Sequence, residues 1–304
     1  MAFAKIGIMS IGEMGYHWAK LLKARGAEVL TYDRDRSPVT QRRAENAGVK
    51  STGSLTELCS SADLIVSIVV PSAALKVAAE IAKAAGEADR KNLIYFDANA
   101  ISPMTAETIN RVVSESGVNF VDGCIIGSAS KMDKGAVIYA SGPEASRILE
   151  LGGYGLSVQV LGSGTSQASA FKVVYAGLTK GLQGLFVELL MGAKRFGLLD
   201  EIIKRYDESF PGLLEKVSSS IVGLRIHAGR RAEEMDELQR TYAHYGMQAL
   251  MAPAIQKVLG SIADLEIRET SVKGAREGDL METLELFYQQ GLMSNTRLAS
   301  NASK

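Results

Sequence analysis

The first thirty residues constrain the fold most. Lys5-Ile6-Gly7-Ile8-Met9 is a short apolar run that goes straight into a glycine-bearing turn, Ser10-Ile11-Gly12-Glu13-Met14-Gly15. A helical pattern follows through Trp18, Leu21 and Leu22, then a second apolar run, Val29-Leu30-Thr31-Tyr32, which ends on Asp33. Strand, glycine turn, helix, strand and acid in that order predict a parallel βαβ unit of the dinucleotide-binding kind. In such a unit the glycines let a backbone approach a pyrophosphate, whose charge rests at the helix N-terminus. The carboxylate closing the second strand accepts hydrogen bonds from ribose hydroxyls.

Ser10 stands where the first glycine of G-x-G-x-x-G belongs. Asp33 points to NAD, because its charge would meet a 2′-phosphate; Arg34 and Arg36 can pair with that phosphate and point to NADP. The balance favours NAD, with NADP left open.

Strands and helices continue to alternate. Ser54-Leu55-Thr56-Glu57 is a capping box. Leu64 to Val70 is a continuous apolar run, the mark of a central parallel strand, ending at Pro71-Ser72. Helical spacing covers about 73–85. Leu93 to Phe96 is another strand, followed by Asp97-Ala98-Asn99-Ala100-Ile101 and by Ser102-Pro103, which reads as N-cap and first helical residue. Asn119–Asp122, Val137–Ser141 and Val158–Leu161 complete the strands. Ligands of such sheets bind beyond the carboxyl ends of the strands. That rule gathers Ile11 to Gly15, Asp33, Arg34, Val70, Pro71 and Asn99 as cofactor-binding candidates, and places Gly123–Ser128 on the same rim.

From about 166 to 197 the chain is free of proline and apolar nearly all round, which predicts one long helix buried on most faces. Lys172, Thr179 and Gln183 form its one polar line, since spacings of seven and eleven residues return to nearly the same face. A lysine on such a helix needs a partner, a wet cleft or a lowered pKa, unless it snorkels along its own stem. Beyond Gly197 only helical patterns remain, at about 200–206, 211–219, 230–245, 249–261 and 279–290, with a frayed tail at 295–304.

The expected fold class is therefore α/β followed by all-α: a Rossmann-type domain over residues 1–163 and an all-helical domain over 164–304 that begins with the interdomain helix. The 34 basic and 34 acidic residues cancel, which argues against nucleic acid or an anionic membrane as partner. Cys59 and Cys124 show no metal or redox spacing and suit a reducing cytoplasm. The immediate start of a strand leaves no room for a signal peptide, and no stretch reaches the length of a membrane span without charge. His17, His227 and His244 lack metal-ligand spacing, so no metal is expected. Apolar helix faces left over in the second domain predict a C2 homodimer.

Several motifs in this order resemble the β-hydroxyacid dehydrogenase superfamily, which includes 3-hydroxyisobutyrate dehydrogenase and the cofactor domain of 6-phosphogluconate dehydrogenase. Ser10–Gly15 resembles its G-x-G-x-M-G signature. Asp97 to Pro103 resembles D-x-S-T-x-x-P, with Asn99 and Ala100 in place of serine and threonine. Asp122-Gly123-Cys124-Ile125-Ile126-Gly127-Ser128 is similar to D-A-P-V-S-G-G. Gly162-Ser163-Gly164 through Lys172 resembles the motif G-x-G-x7-K-x-x-N-N, with Tyr175 and Ala176 where asparagines are usual. These motifs cover roughly the first 200 residues. The remainder, with Lys172–Ala176, Thr179-Lys180-Gly181 and His227–Met235, resembles a branch with a phosphogluconate dehydrogenase-type C-terminal domain.

The resemblance implies a nicotinamide-dependent oxidoreductase acting on a hydroxy acid or oxo acid, with Lys172 as general acid and base. Backbone amides near Gly127 and Ser128 would hold the substrate carboxylate. Ile126 and Ala176 remove two polar anchors, which implies a more apolar substrate. Tyr175, Thr179, His227 and Arg230 are further substrate candidates, the last because arginine binds carboxylates bidentately. Arg230 and Arg231 pairing with Glu233 and Glu234 at a helix start is the competing reading. Two other functions fit the same fold: a non-catalytic NAD(P)-binding sensor or structural protein, favoured by Ser10, Ile126 and Ala176, and an imine reductase, disfavoured by Lys172.

Overall fold

Parallel strands need crossovers, and the chain supplies a helix between each successive pair up to the sixth strand. The computed structural model describes residues 3–34, 36–265, 267 and 279–293. The expected frayed tail lies outside the described residues. The first unit, Met1–Lys172, contains β1 (Lys5–Met9), α1 (Glu13–Ala24), β2 (Glu28–Thr31), α2 (Pro38–Asn46) and β3 (Lys50–Ser51). It continues with α3 (Leu55–Ser61), β4 (Leu64–Ser67), α4 (Ala74–Glu87), β5 (Ile94–Asp97), α5 (Pro103–Ser114), β6 (Asn119–Ile126), β7 (Val137–Ser141) and β8 (Ser157–Gly162).

The sheet order is β3-β2-β1-β4-β5-β6-β7-β8. The first six strands are mutually parallel, β7 is antiparallel to β6, and β8 runs parallel to β7. This is the doubly wound Rossmann order with two strands added at one edge. Successive residues of β5 alternate between two apolar layers: Ile94 and Phe96 join Trp18 and Ile148 on one face, and Tyr95 joins Ile81 and Ile109 on the other. Both faces are thus covered, as a parallel sheet requires. Expected caps are in place, with Ser54 Oγ accepting from Glu57 N and Ser102 Oγ from Thr105 N. Two elements go beyond the sequence reading: β3, only two exposed residues long, and α2, although Ser37-Pro38 marks its start.

The long helix α6 spans Gln167–Arg195, and the division into units falls between Lys172 and Val173. The second unit holds the rest of α6 with α7 (Leu199–Ser209), α8 (Leu213–Val222), α9 (Leu224–His244), α10 (Met251–Ala263) and α11 (Leu280–Gln289). Val187, Leu190, Ile221, Leu259 and Phe287 centre its core.

Two expectations need correction. α9 begins at Leu224, so His227 and Arg230 lie within the helix and not at its start. Nor is α6 buried on most faces: Val174, Leu178, Leu185 and Leu189 are exposed, Leu178 by 65%. By length and mean hydropathy alone α6 is apolar enough to cross a membrane, and 39% of its most apolar window is buried. Lys172, Lys180 and Glu188 interrupt it, so it holds no charge-free stretch of that length.

Candidate active site

The sheet order reverses between β1 and β4, and the turn after β1 lies at that switch point. Ser10 adopts φ 74°, the left-handed region that costs an L-residue about 1–2 kcal/mol. That is why glycine is usual there. Gly15 is required by close packing, because a Cβ would stand 2.5 Å from Ser10 O. At Gly12 a Cβ would meet nothing within 4 Å, so open space lies beside the backbone where α1 begins. No side chain caps α1, leaving its first-turn amides available to an anion. Ile11 is buried, while Glu13 and Met14 form the first turn.

Asp33 follows β2, its Oδ1 accepting from Ser51 Oγ at 2.5 Å and its carbonyl accepting from Gln41 Nε2. The first bond holds the carboxylate and the second holds the backbone behind it. Arg34 is exposed. A cleft of about 610 Å³ adjoins, lined among others by Met9, Tyr32, Arg36, Leu55, Ala73 and Lys76. Its volume lies in the range of small-molecule sites. A glycine cradle, uncapped helix amides, a fixed carboxylate and an adjoining cleft fit a dinucleotide.

Val70 is 64% exposed beyond β4 and precedes the short 3-10 turn Pro71–Ala73. Asn99, in contrast, is 3% exposed and fully engaged. Its Oδ1 accepts from Val69 N, its Nδ2 donates to Ser67 Oγ, and its own amide donates to Asp97 Oδ1. It ties the end of β4 to the turn after β5, so its side chain shapes the rim more than it presents itself there.

At the end of β6, Lys172 Nζ donates to Ile125 O at 2.7 Å. The amine thus reaches the carboxyl end of the same sheet that carries the glycine turn, Asp33 and Val70. Phe171 packs its ring on Tyr139, with centroids 4.4 Å apart. Gly127 has φ 134°, and a Cβ there would lie 2.6 Å from Ala136 Cα; only glycine lets the chain return into β7. Ser128 is exposed, with its Oγ 3.4 Å from Ser130 Oγ.

Beneath this rim lie two carboxylates that enter the sequence motifs as letters but are absent from the candidate residues drawn from them. Asp97 and Asp122 are directly opposed on β5 and β6, and both are fully buried. Burial, opposed by the Asn99 amide and reinforced by Asp122, pushes Asp97 up to about 7. Burial also pushes Asp122 up to about 6, against the hydrogen bonds from Ser169, Ser141 and Ala168. The two carboxyls face each other in a dry sheet, so each disfavours ionisation of the other. The signal in the sequence is an acid at the end of two apolar strands, where a charge is rarely buried without a purpose. Cys124, beside them, is inert: burial pushes its thiol up to about 12, and Cys59 likewise.

In the second unit, Tyr175 is 44% exposed, and Thr179 Oγ1 donates back to Ala176 O. Gln183 is buried, its Oε1 accepting from Arg231 Nη1, which also donates to Ser220 O. Desolvation first, then neighbouring Arg230, lowers Arg231 to about 10. Arg231 is thus an internal tie. Arg230 is exposed and pairs with Glu234, which also takes Lys180 at 2.6 Å; this is the charge-pair arrangement that competes with a carboxylate site. His227 is half-buried on α9.

A family model described as the NAD binding domain of 6-phosphogluconate dehydrogenase matches residues 5–149, and a domain of unknown function, DUF1932, matches residues 193–262. The solved structure of the conserved protein MTH1747, of unknown function but reported as structurally similar to 3-hydroxyacid dehydrogenases, is 32% identical. It superposes with a TM-score of 0.74 over 86% of this chain and 97% of that one. An uncharacterised 28.5 kDa protein of Methanothermus fervidus is 28% identical over 261 residues, 86% of this chain and 99% of the relative. The 3-hydroxyisobutyrate dehydrogenase of Mycobacterium tuberculosis, solved with L-serine, shares the fold at a TM-score of 0.75 and 15% identity, over 94% of this chain and 99% of that one.

Proposed function

The chain belongs to the β-hydroxyacid dehydrogenase superfamily, and we propose that it is a nicotinamide-dependent oxidoreductase interconverting a hydroxy acid and its oxo acid. One observation carries the reading: the Lys172 amine is delivered to Ile125 O, at the sheet edge that holds the glycine turn and Asp33.

When bound, the nicotinamide supplies or accepts the hydride. Gly12, Glu13, Met14 and Gly15 would hold the pyrophosphate at the N-terminus of α1, and Ile11 would support the turn from the core. Asp33 would take the ribose hydroxyls with Arg34 beside it, while Val70 and Pro71 would line the rim beyond β4, shaped from beneath by Asn99. We favour NAD over NADP on the charge of Asp33. In oxidation the neutral Lys172 amine takes the hydroxyl proton; in reduction its ammonium returns it to the carbonyl oxygen. The amides of Gly127 and Ser128 would receive the carboxylate. Ile126 and Ala176, in place of polar anchors, favour a substrate with an apolar substituent. Tyr175, Thr179, His227 and Arg230 are the candidates for its far end.

We assign cofactor binding to residues 1–163 and dimerisation to the helical domain, 164–304. Val174, Leu178, Leu185 and Leu189 lie within an arc of about 60° on α6 at 100° per residue, and all four are exposed. A second copy of the chain is the proposed occupant of this seam, giving a homodimer. Two buried free cysteines fit a cytoplasmic protein.

The reading is tested by screening short hydroxy acids for NAD⁺ or NADP⁺ reduction with wild type and Lys172→Ala. The variant should keep its cofactor affinity and lose at least about 100-fold in turnover. Equal turnover would remove Lys172 from the mechanism.

A further inference from the structure

Four hydrogen bonds beneath the rim hold the first turn of α6. Asp122 Oδ2 accepts from the Ser169 amide at 2.8 Å and from Ser141 Oγ at 3.2 Å, and Asp122 Oδ1 accepts from Ser169 Oγ at 2.6 Å. Ser141 Oγ in turn accepts from the Ala168 amide at 2.9 Å. The first amides of a helix have no partner within the helix. Here two of them are satisfied by one carboxylate, directly and through a serine, and its negative charge also suits the helix N-terminus. Asp122, Ser141 and Ser169 are all fully buried, so water does not compete for these bonds.

Lys172 lies three residues after Ser169, on the same face of α6. Its Nζ is fixed to Ile125 O, three residues after Asp122 on β6. Strand and helix are therefore joined at two rungs, 122 with 169 and 125 with 172. The first rung sets the height and rotation of the helix, and the second places the amine.

We infer that Asp122 is a positioning residue for Lys172, acting through Ser169 and, by way of Ser141, through the Ala168 amide. Asp122 does not touch substrate or cofactor. It holds the turn from which the amine is aimed. The inference rests on reading Lys172 as the proton-transferring group, but the clamp exists whether or not that reading holds.

The test measures the amine itself. Full-length wild type, Asp122→Asn, Ser169→Ala and Ser141→Ala are exposed to isotope-coded reductive methylation, and the rate at each lysine is read by peptide mass spectrometry. Asparagine keeps the shape but turns an N–H donor toward donors on Ser169 or Ser141. Released from its rung, Lys172 should react at least fivefold faster in Asp122→Asn and at least twofold faster in Ser169→Ala. Lys131 and Lys134, in the neighbouring loop, should keep their wild-type rates, and cofactor affinity should hold within twofold. An unchanged rate at Lys172, or a rise shared by Lys131 and Lys134, overturns the inference. If Asp122→Asn does not fold, the two serine variants decide by the same criteria. Turnover separates this from the functional reading: on a competent substrate Asp122→Asn should lower kcat and leave KM in place. If Lys172→Ala retains full turnover, the functional reading fails while the clamp stands on the labelling rates.

Discussion

Asp97→Asn should stabilise the first unit at neutral pH and not in acid. In the folded chain the Asp97 carboxyl is pushed from its ordinary 3.8 up to about 7, chiefly by burial. Its Oδ2 has no hydrogen-bond partner among the described residues. A raised carboxyl pKa means that the native state holds a proton which the unfolded chain releases. The stabilisation from that proton is complete below about pH 3.8 and is lost as pH rises through about 7. Moving a pKa by one pH unit is worth about 1.36 kcal/mol, so the rise at Asp97 amounts to a loss on the order of 4 kcal/mol. Asparagine mimics the protonated acid in charge and shape, and its oxygen can still accept from the Asn99 amide. Between pH 4.5 and 7.5 the stability of Asp97→Asn relative to wild type should therefore rise by about 3 kcal/mol. Trp18 is the only tryptophan, and it packs against Phe96, the neighbour of Asp97. Urea unfolding followed by its fluorescence therefore reports on this unit. A difference that stays constant across that pH range would refute the argument.

Ser10→Gly should raise the midpoint of the same transition. Relieving a left-handed serine gains about 1–2 kcal/mol, less about 0.5–1 kcal/mol of glycine entropy; a lowered midpoint would contradict the strain at Ser10. Gly12→Ala should alter stability by less than about 1 kcal/mol, because its Cβ enters open space. Dinucleotide affinity should nevertheless fall at least tenfold, and an unchanged affinity would place the pyrophosphate elsewhere. Leu185→Glu combined with Leu189→Glu should convert a dimer to a folded monomer in sedimentation velocity. A dimer that survives both charges would move the interface off α6.

How legible the chain is depends on how local the physics is. The βαβ start, the capping box at Ser54 and the Ser102-Pro103 helix start follow from neighbouring residues, and the structure has them at the expected positions. The two-residue β3 has no periodicity to detect, and its pairing with β2 is purely tertiary. Apolar content around α6 implies burial. Composition cannot distinguish a face covered by its own chain from an exposed one, and Val174, Leu178, Leu185 and Leu189 are exposed among the described residues. Lys172 is readable from its polar line. Gln183, on the same line, is taken up by Arg231, a contact between residues 48 apart that spacing does not encode. Asp122 is hidden for the same reason, since its partners Ser141 and Ser169 are 19 and 47 residues away.

The central claim is that the turn from Ser10 to Gly15 binds a nicotinamide dinucleotide in spite of its serine. Titrating the purified chain with NADH and separately with NADPH, following nicotinamide fluorescence, tests it most directly. The account predicts saturable binding, tighter for NADH, that is weakened in Gly12→Ala and kept in Lys172→Ala. Binding of neither nucleotide would contradict it and would leave a Rossmann fold without its cofactor.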